Sequence, residues 1–234
     1  MKVFIVGSTG ATGRHVVQQI LDKGHNVVAV ARSKETLLSH LKQENYGTRL
    51  QIKEASILEM SQEEISSLTK GCTSVVSCLG HNVSFQGLFG HPRQLVTEAV
   101  QKLTTSMPKD SKFILMGTDA VRLPEEPERS FKERAVIGLL RLMLPPHVDN
   151  EEASSYLNSK KDVDWVIVRP TNLVDEDQPT GNYDIFERSE GPLFGEETVS
   201  RANVAHFMVE LITNPSTFAK YNHGNPLIID RKKD

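Results

Sequence analysis

A glycine-rich segment near the N-terminus, Gly7-Ser8-Thr9-Gly10-Ala11-Thr12-Gly13, limits the fold more than any other feature of the sequence. It directly follows a short apolar run at residues 3–6 and precedes a stretch of helical periodicity that ends at Gly24. The apolar residues of that stretch share one helical face, at Val16, Val17, Ile20 and Leu21. The chain is therefore predicted to begin with a buried strand, a tight glycine turn and an amphipathic helix.

Short apolar runs recur along the rest of the chain and alternate with helical stretches. Most runs are continuously apolar and β-branched, which is typical of strands covered on both faces of a parallel sheet. The helical stretches include a capping-box spacing from Ser61 to Glu64, a helix from Pro92 to about Met107, and an amphipathic stripe over residues 203–212. The predicted strands are residues 3–6, 27–31, 50–52, 75–79, 113–116, 165–168 and 227–229. This alternation predicts a Rossmann-like, three-layer α/β/α fold with a doubly wound parallel sheet of about seven strands.

No linker or internal repeat divides the chain, so residues 1–234 are predicted to form a single domain. Two segments interrupt the rhythm of strands and helices. Residues 122–150 hold four prolines around the apolar stretch 131–144, which predicts a loop and helix elaboration after the fifth strand. That stretch suits a wall over a ligand and, equally, a dimer contact or a core helix. Residues 175–200 are predicted to form a small C-terminal substrate lobe.

Composition argues against several classes of protein. The 27 Lys and Arg residues and 30 Asp and Glu residues are mixed along the chain, which gives no electrostatic footprint for nucleic acid or an anionic membrane. The first apolar run is too short for a secretory signal or a membrane span. Cys72 and Cys78 fit neither a disulfide framework nor a metal site. We therefore expect a cytoplasmic monomer or homodimer with no nucleic-acid partner, no membrane association and no metal.

The glycine spacing matches the chemistry of a dinucleotide-binding turn. In such a turn the first glycine permits the tight bend, the second lets a pyrophosphate approach the backbone, and the third lets the helix pack closely on the strand. The N–H groups at the start of the helix then face the anion, and the Thr9 and Thr12 hydroxyls add donors. Since the turn lies between a strand and an amphipathic helix, residues 7–13 are predicted to bind the pyrophosphate rather than to form a plain turn.

The residues after the second predicted strand indicate which dinucleotide is bound. An acidic residue there would bind the adenosine ribose hydroxyls of NAD, whereas this chain has Arg32, Ser33 and Lys34. A guanidinium group matches a 2′-phosphate, so we predict NADP(H) rather than NAD(H). The alternative is that Arg32 and Lys34 are solvated surface charges.

Several of these motifs resemble those of the atypical short-chain dehydrogenase/reductases. The resemblance rests on the G-x-T-G-x-T-G turn, on Ala31-Arg32-Ser33, on Val168-Arg169-Pro170-Thr171, and on residues 179–183, 199–201 and 204–207. Within that class the chain is similar to the small NAD(P)H-binding proteins related to biliverdin reductase B, a flavin reductase. It is more distantly similar to NmrA-like regulators.

This resemblance implies a seven-stranded parallel sheet, an NADP cofactor and hydride transfer to a small-molecule acceptor such as a flavin, a quinone or another conjugated carbonyl compound. It implies adenine contacts at Ser56 and Ile57. It also implies nicotinamide contacts at residues that follow the later strands, namely Leu79, Gly80, His81, Thr118, Pro170 and Thr171. Asn172 directly follows this set in the sequence and is predicted to join it.

The motif Tyr156-Leu157-Asn158-Ser159-Lys160 has the spacing of the classical catalytic Tyr/Lys pair of the superfamily. However, Lys160 lies only a few residues before the sixth predicted strand, at the end of the preceding helix. A catalytic pair would lie earlier on that helix, level with the ligand-binding ends of the strands. We therefore interpret Tyr156 and Leu157 as packing residues.

Two other positions depart from the pattern of the relatives. Asn150 stands where many of them carry a lysine, and Asp119 stands where the flavin reductases carry a serine. The remaining candidates for catalysis are His81, Thr118 and Asp119. For His81 the alternative is a polar surface loop residue, and for Asp119 it is an ionised side chain that caps a turn.

Two classes of function follow from this sequence. The first is an NADPH-dependent oxidoreductase with a planar, conjugated acceptor, for which solvent could supply the proton. The second is a non-catalytic NADP(H)-sensing regulatory protein of the NmrA-like type. The absence of a well-placed Tyr/Lys pair favours the sensor, and the strand-end cluster of His81, Thr118, Thr171 and Asn172 favours the oxidoreductase.

Overall fold

Strands and helices alternate through most of the residues that the structure describes. The computed structural model describes residues 1–42, 46–80, 93–121, 145–188 and 195–231, together with residues 131, 133, 134, 136 and 138. The strands in these residues are β1 (Lys2–Val6), β2 (Asn26–Ala31), β3 (Leu50–Glu54), β4 (Ser74–Ser77), β5 (Lys112–Met116), β6 (Asp164–Pro170), β7 (Asn172–Val174), β8 (Tyr183–Phe186), β9 (Thr198–Ser200) and β10 (Leu227–Asp230). The α-helices are α1 (Gly13–Asp22), α2 (Lys34–Ser39), α3 (Gln62–Thr69), α4 (Leu95–Ser106), α5 (Pro145–Ser159), α6 (Arg201–Thr213) and α7 (Pro215–Tyr221).

The main sheet has the strand order β3-β2-β1-β4-β5-β6-β10-β8. Its first seven strands run parallel, and β1 pairs on one side with β2 and on the other with β4. The strand order therefore reverses between β1 and β4, which is the switch point where ligands bind in open α/β sheets. The predicted doubly wound, three-layer fold is confirmed, and each of the seven predicted strands is present.

The sheet also contains an eighth strand that the sequence did not predict. Strand β8 pairs antiparallel with β10 at the edge of the sheet. Its sequence, Tyr-Asp-Ile-Phe, is only partly buried and lacks the continuous apolar run of the central strands. Because an edge strand is covered less completely, its hydrophobic pattern is weaker than that of a central strand. A separate two-stranded parallel sheet, formed by β7 and β9, lies just beyond the end of β6.

Successive residues of each central strand point to opposite faces of the sheet, and each face carries its own hydrophobic core. On one face of the sheet, Ile5 of β1 packs with Val17 of α1 and Val204 of α6. On the other face, Phe4 packs with Val100 of α4, and the α3 and α5 helices cover the same side. Burying each of these side chains stabilises the fold by about 1.5–3 kcal/mol. None of the helices within the described residues is long and apolar enough to cross a membrane.

The helix ends follow the signals in the sequence, with one shift. Gly24 takes a φ of +78° after α1, and Ser61 and Glu64 form the predicted capping box of α3. Helix α4 covers most of the predicted range, while Pro92 lies outside the described residues. Helix α5 begins at Pro145, so residues 145–150 belong to it rather than to the predicted elaboration. Proline suits the first turn of a helix, where its missing N–H group has no intrahelical partner to lose.

The side chain of Asn203, in the first turn of α6, joins three C-terminal segments. It is fully buried, and its Oδ1 accepts hydrogen bonds from the backbone N–H groups of Thr180 and Gly181 at 2.9 and 3.1 Å. Its Nδ2 donates to the Thr180 hydroxyl at 3.0 Å and to Asp230 Oδ1 at 2.7 Å. The other carboxylate oxygen of Asp230 accepts from the Ser200 N–H group at 2.9 Å. Asn203 therefore fixes the segment that leads into β8.

Replacing Asn203 with Ala should lower the free energy of unfolding by about 2–4 kcal/mol, because several buried groups lose their hydrogen-bond partners together. Urea denaturation followed by circular dichroism measures this change. Asn182→Ala, which truncates an exposed asparagine in the same segment, is the control and should change stability by less than about 0.5 kcal/mol. Equal effects of the two substitutions would show that the Asn203 network does not hold this part of the fold.

Candidate functional site

An open cleft lies at the carboxyl ends of the four strands around the switch point. The ends of β1, β2, β3 and β4 and the first residue of α4 form its walls. The cleft holds about 170 Å³ of space and is open to solvent on one side. The residues that line it are Val6, Gly7, Thr9, Gly10, Val30, Ala31, Arg32, Ala55, Ser56, Ile57, Cys78, Leu79, Gly80 and Leu95.

Residues predicted from the sequence to bind the cofactor account for much of this lining. Those that line the cleft are Gly7, Thr9, Gly10, Arg32, Ser56, Ile57, Leu79 and Gly80. Other predicted residues lie in turns or at the ends of neighbouring helices and strands and do not line it, namely Ala11, Thr12, Gly13, Ser33, Lys34, Thr118, Pro170, Thr171 and Asn172. His81 lies outside the described residues. The cleft therefore unites the predicted pyrophosphate and adenosine positions with two predicted nicotinamide contacts, Leu79 and Gly80. The other described nicotinamide positions lie at and just beyond the ends of β5 and β6.

The glycine turn owes its shape to contacts with the rest of the protein. Gly7 has a φ of +73°, and a Cβ atom placed on it would lie 2.7 Å from the backbone nitrogen of Leu79. A Cβ atom on Gly13 would lie 2.9 Å from the backbone carbonyl carbon of Gly7. The N–H group of Gly10 donates to the Gly7 carbonyl oxygen at 3.0 Å. Gly7 and Gly13 therefore allow β1, α1 and the end of β4 to approach one another closely.

The first turn of α1 is electrostatically suited to an anion. Thr12 precedes the helix, but its side chain makes no capping hydrogen bond, and the turn carries no acidic residue. Arg14 and His15 are its charged or titratable side chains. Partial burial, followed by the neighbouring Arg14 charge, lowers the pKa of His15, while Asp175 and Asp177 act in the opposite direction. The positive end of the helix dipole and Arg14 together favour a phosphate group here.

The side chains after β2 have distinct surroundings. Arg32 is exposed beside the cleft, and its guanidinium group makes no ion pair or hydrogen bond with any other residue that the structure describes. Ser33 caps α2, and its hydroxyl oxygen accepts hydrogen bonds from the Thr36 N–H and hydroxyl groups at 3.1 and 3.0 Å. The Lys34 N–H group donates to Glu54 Oε2 at 2.9 Å. Arg32 is therefore available to a ligand, and Ser33 retains its own hydroxyl proton as a donor.

Apolar groups form another part of the cleft wall. Ile57 is almost fully buried behind the turn that follows β3, and Cys78 lies at the end of β4. Burial raises the pKa of the Cys78 thiol to about 12, so this group stays protonated and behaves as a small apolar side chain. With Leu79 and Leu95, these residues offer a surface for a flat aromatic ring such as adenine.

The loop after β5 is held against β6 by a buried arginine. Arg169 is 1% exposed, and its guanidinium group donates to the Val121 carbonyl oxygen at 3.1 Å. The same group lies 4.0 Å from Asp119 Oδ1. The Asp119 N–H group donates to the Pro170 carbonyl oxygen at 3.2 Å, which continues the pairing of the two strands. Asp119 is therefore positioned by an ion pair, and Arg169 is a site residue that sequence reasoning did not single out.

The other predicted nicotinamide residues differ in how fully their side chains are engaged. Thr118 Oγ1 accepts a backbone hydrogen bond at 3.2 Å, which leaves its proton available. Thr171 Oγ1 is buried and has no hydrogen-bond partner within the described residues. Asn172 Nδ2 donates to the carbonyl oxygens of Gly195 and Glu197 at 2.7 and 3.1 Å, where it ties β7 to the segment before β9. Thr118 and Thr171 are thus better placed than Asn172 to bind a ligand.

The Tyr156 hydroxyl group lies next to the end of α4 that is farther from the cleft. It is 3.3 Å from Thr104 Oγ1, near the end of α4, whereas Leu95 at the beginning of that helix lines the cleft. The Lys160 Nζ atom lies 5.1 Å from the centre of the Tyr156 ring. Tyr156 therefore packs against Lys160 and Thr104 away from the cleft, and Leu157 is fully buried, in agreement with the interpretation of Tyr156 and Leu157 as packing residues.

The start of α4 is fixed by Asp149, a residue that the sequence did not identify. Asp149 is buried, and its two carboxylate oxygens accept hydrogen bonds from the N–H groups of Val96 and Thr97 at 2.7 and 2.9 Å. These bonds satisfy N–H groups at the start of the helix and hold Leu95 at the cleft. A cap supplied by a residue some 50 positions away in the sequence leaves no local signal.

These features together fit a nicotinamide dinucleotide. The glycine turn brings backbone and helix N–H groups to the edge of the cleft, and Arg32 supplies a cation that has no described partner. The buried hydroxyl group of Thr171, at the end of β6, has no hydrogen-bond partner within the described residues, as expected of a group that binds a ligand. The fold and the cleft therefore define a Rossmann-type dinucleotide-binding protein.

Comparison with known proteins places the chain within that class. It belongs to the NAD(P)H-binding family, whose family model matches residues 7–215. An uncharacterized chloroplastic protein of Arabidopsis thaliana is 28% identical over 220 residues, which cover 93% of this chain and 74% of that protein. The resemblance predicted from the sequence is confirmed for this family.

Solved structures confirm the fold. An oxidoreductase from Lactococcus lactis superposes with a TM-score of 0.71 at 21% identity, covering 100% of this chain and 92% of its own. An anaerobilin reductase from Escherichia coli O157:H7 superposes with a TM-score of 0.69 at 19% identity, covering 100% of this chain and 99% of its own. Both matches extend over essentially the whole architecture described above.

Substituting Gly7 with Ala should destabilise the protein by at least about 3 kcal/mol and abolish dinucleotide binding, because the added methyl group collides with the backbone at the end of β4. Thermal unfolding and isothermal titration with NADPH measure the two effects. Gly71→Ala is the matched control, since Gly71 has a φ of +74° and open space around it. The control should lose only about 1 kcal/mol from backbone strain. If both variants lost the same stability, the close packing at Gly7 would not be essential.

Proposed function

We propose that this protein is an NADP(H)-dependent reductase of the atypical short-chain dehydrogenase/reductase class, acting on a small conjugated acceptor such as a flavin or quinone. The observation that carries the proposal is the cleft at the switch point, lined by the glycine turn and by Arg32. A 2′-phosphate on the adenosine ribose gives the Arg32 guanidinium group a partner at the edge of that cleft. The Ser33 hydroxyl group, which has only its proton left to donate, supports the same choice.

The cofactor is held by groups that the structure has already brought together. Backbone N–H groups of the glycine turn and α1 bind the pyrophosphate, with Thr9 and Arg14 beside them. Ser56, Ile57 and the apolar wall bind the adenine ring. When bound, NADPH supplies the hydride that reduces the acceptor.

The contribution of the protein to the reaction is to place the nicotinamide ring against the ring of the acceptor and to limit the access of water to them. The hydroxyl groups of Thr118 and Thr171 bind polar atoms of the nicotinamide carboxamide or of the acceptor. Asp119 is held at this end of the site by the Arg169 guanidinium group, which lies 4.0 Å from its carboxylate. His81 and solvent are the remaining proton sources for the acceptor.

The solved relatives support a reductase. Two proteins that share this whole fold are an oxidoreductase from Lactococcus lactis and an anaerobilin reductase from Escherichia coli. Function resides in the site rather than in the fold, so this support is by analogy.

A second candidate function is a non-catalytic NADP(H) sensor. One observation favours it: Tyr156 lies beside Thr104 at the far edge of the sheet, so the superfamily's usual proton-donating pair is not at the cleft. The two candidates share the cofactor site and differ in whether an acceptor is reduced.

Arg32→Ala should weaken NADPH binding by about 10- to 100-fold and NADH binding by less than about threefold, because only NADPH carries the phosphate that the guanidinium group binds. Isothermal titration calorimetry gives both dissociation constants. Lys161→Ala removes an exposed cation before β6, at the opposite edge of the sheet, and should change neither constant. Equal weakening of both dinucleotides by Arg32→Ala would contradict the assignment of the 2′-phosphate.

Turnover separates the reductase from the sensor. Purified protein mixed with NADPH and a panel of flavins, quinones and aldehydes should oxidise NADPH well above the uncatalysed rate with at least one flavin or quinone, as followed by absorbance. The Arg32→Ala variant should show the same chemistry with a raised KM for NADPH, since the substitution leaves the acceptor end intact. Tight NADPH binding without turnover of any acceptor would favour the sensor instead.

A further inference from the structure

We infer that Glu54 limits the preference of this site for a 2′-phosphorylated cofactor, so that the protein discriminates between NADPH and NADH less strongly than Arg32 alone would allow. The inference rests on the proposed function, because it concerns the selectivity of the same adenosine site. It assigns a role in cofactor selectivity to a residue of β3. The residues predicted from the sequence to select the cofactor, Arg32 to Lys34, all follow β2.

The position of the carboxylate follows from the register of the sheet. Glu54 is the last residue of β3 and pairs with Ala31, the last residue of β2. The Ala55 N–H group then donates to the Ala31 carbonyl oxygen at 2.9 Å, which keeps the two strands together to their ends. The chain segment that carries Arg32 and the segment that carries Glu54 therefore leave the sheet side by side.

The hydrogen bond from the Lys34 N–H group brings the Glu54 carboxylate to the adenosine end of the site. Glu54 Oε2 accepts that bond at 2.9 Å. Standard backbone geometry then places this oxygen within about 5 Å of the Cα atom of Ser33. A negative charge consequently lies beside the residue whose hydroxyl proton, with the Arg32 guanidinium group, is proposed to bind the 2′-phosphate.

The charges at this end of the cleft act in opposite directions on the two cofactors. Arg32 and the Ser33 hydroxyl group attract a 2′-phosphate, whereas the Glu54 carboxylate repels it. The ribose hydroxyl that NADH carries at the same position has no net charge, and Glu54 Oε2 already accepts the hydrogen bond from the Lys34 N–H group, so Glu54 changes NADH binding much less than NADPH binding. At separations of several ångströms near solvent, one carboxylate facing a phosphate changes the binding constant by about three- to tenfold.

The test uses Glu54→Gln, which removes the charge and keeps an oxygen that can accept the Lys34 hydrogen bond. A second variant, Glu54→Thr, removes the same charge with a residue that suits the end of a strand. Dissociation constants for NADPH and NADH are measured by isothermal titration at low and at high salt, and folding is checked by thermal unfolding. Asp162→Asn removes a negative charge from the turn before β6, at the opposite edge of the sheet, and is the matched control.

At low salt, both Glu54 variants should bind NADPH about three- to tenfold more tightly than the parent protein, while the NADH constant changes by less than about twofold. At 1 M salt, screening should remove most of the difference. Asp162→Asn should change neither constant. An unchanged NADPH constant, or weaker NADPH binding, in the Glu54 variants would overturn the inference, since weaker binding would mean that Glu54 acts only by shaping the start of α2.

The same titrations distinguish this inference from the proposed function. If the parent protein binds NADPH and Arg32→Ala weakens it, but the Glu54 variants do not change it, the cofactor assignment stands and the role of Glu54 fails. If the parent protein binds neither dinucleotide, the proposed function itself fails.

Discussion

The close approach of the glycine turn to the end of β4 is the contact on which the site depends. Gly7 adopts a left-handed backbone conformation against the Cys78–Leu79 peptide, at a position with no room for a side chain. Gly13 then lets α1 begin directly above the carbonyl group of Gly7. Because strand order reverses between β1 and β4, the same contact sets the two sides of the cleft. The packing of the fold and the shape of the binding site therefore have one cause.

Around that contact, we propose that several charges together, rather than a single residue, set the selectivity for the cofactor. Arg32 lies beside the cleft without a described partner. Ser33 caps α2 and keeps its hydroxyl proton as a donor, and the Glu54 carboxylate of the neighbouring strand binds the Lys34 N–H group. At the other end, the buried Arg169 holds Asp119 against β6, so that Thr118 and Thr171 present hydroxyl groups from a rigid edge. This arrangement explains why the residues proposed to select the cofactor are easier to identify than the residues that would transfer a proton.

The sequence predicts those parts of the structure that depend on local pattern. The seven parallel strands, the glycine turn and the apolar stripe of α1 all leave signals within a few residues of sequence. Arg32 is found because it follows a recognisable strand. Strand β8 was missed because an edge strand with mixed polarity has no such pattern. Glu54, Asp149 and Asn203 were missed for a different reason: each acts on a backbone group that lies at least 20 positions away, so only the folded chain brings the partners together.

The central claim is that an NADP(H) molecule lies across the glycine turn with its 2′-phosphate at Arg32. A crystal structure of the protein grown with NADP⁺ tests this most directly. The account predicts electron density for the pyrophosphate against residues 7–13 and for the 2′-phosphate within hydrogen-bond distance of the Arg32 guanidinium group. A bound cofactor whose 2′-phosphate points away from Arg32, or whose pyrophosphate lies elsewhere on the sheet, would contradict it.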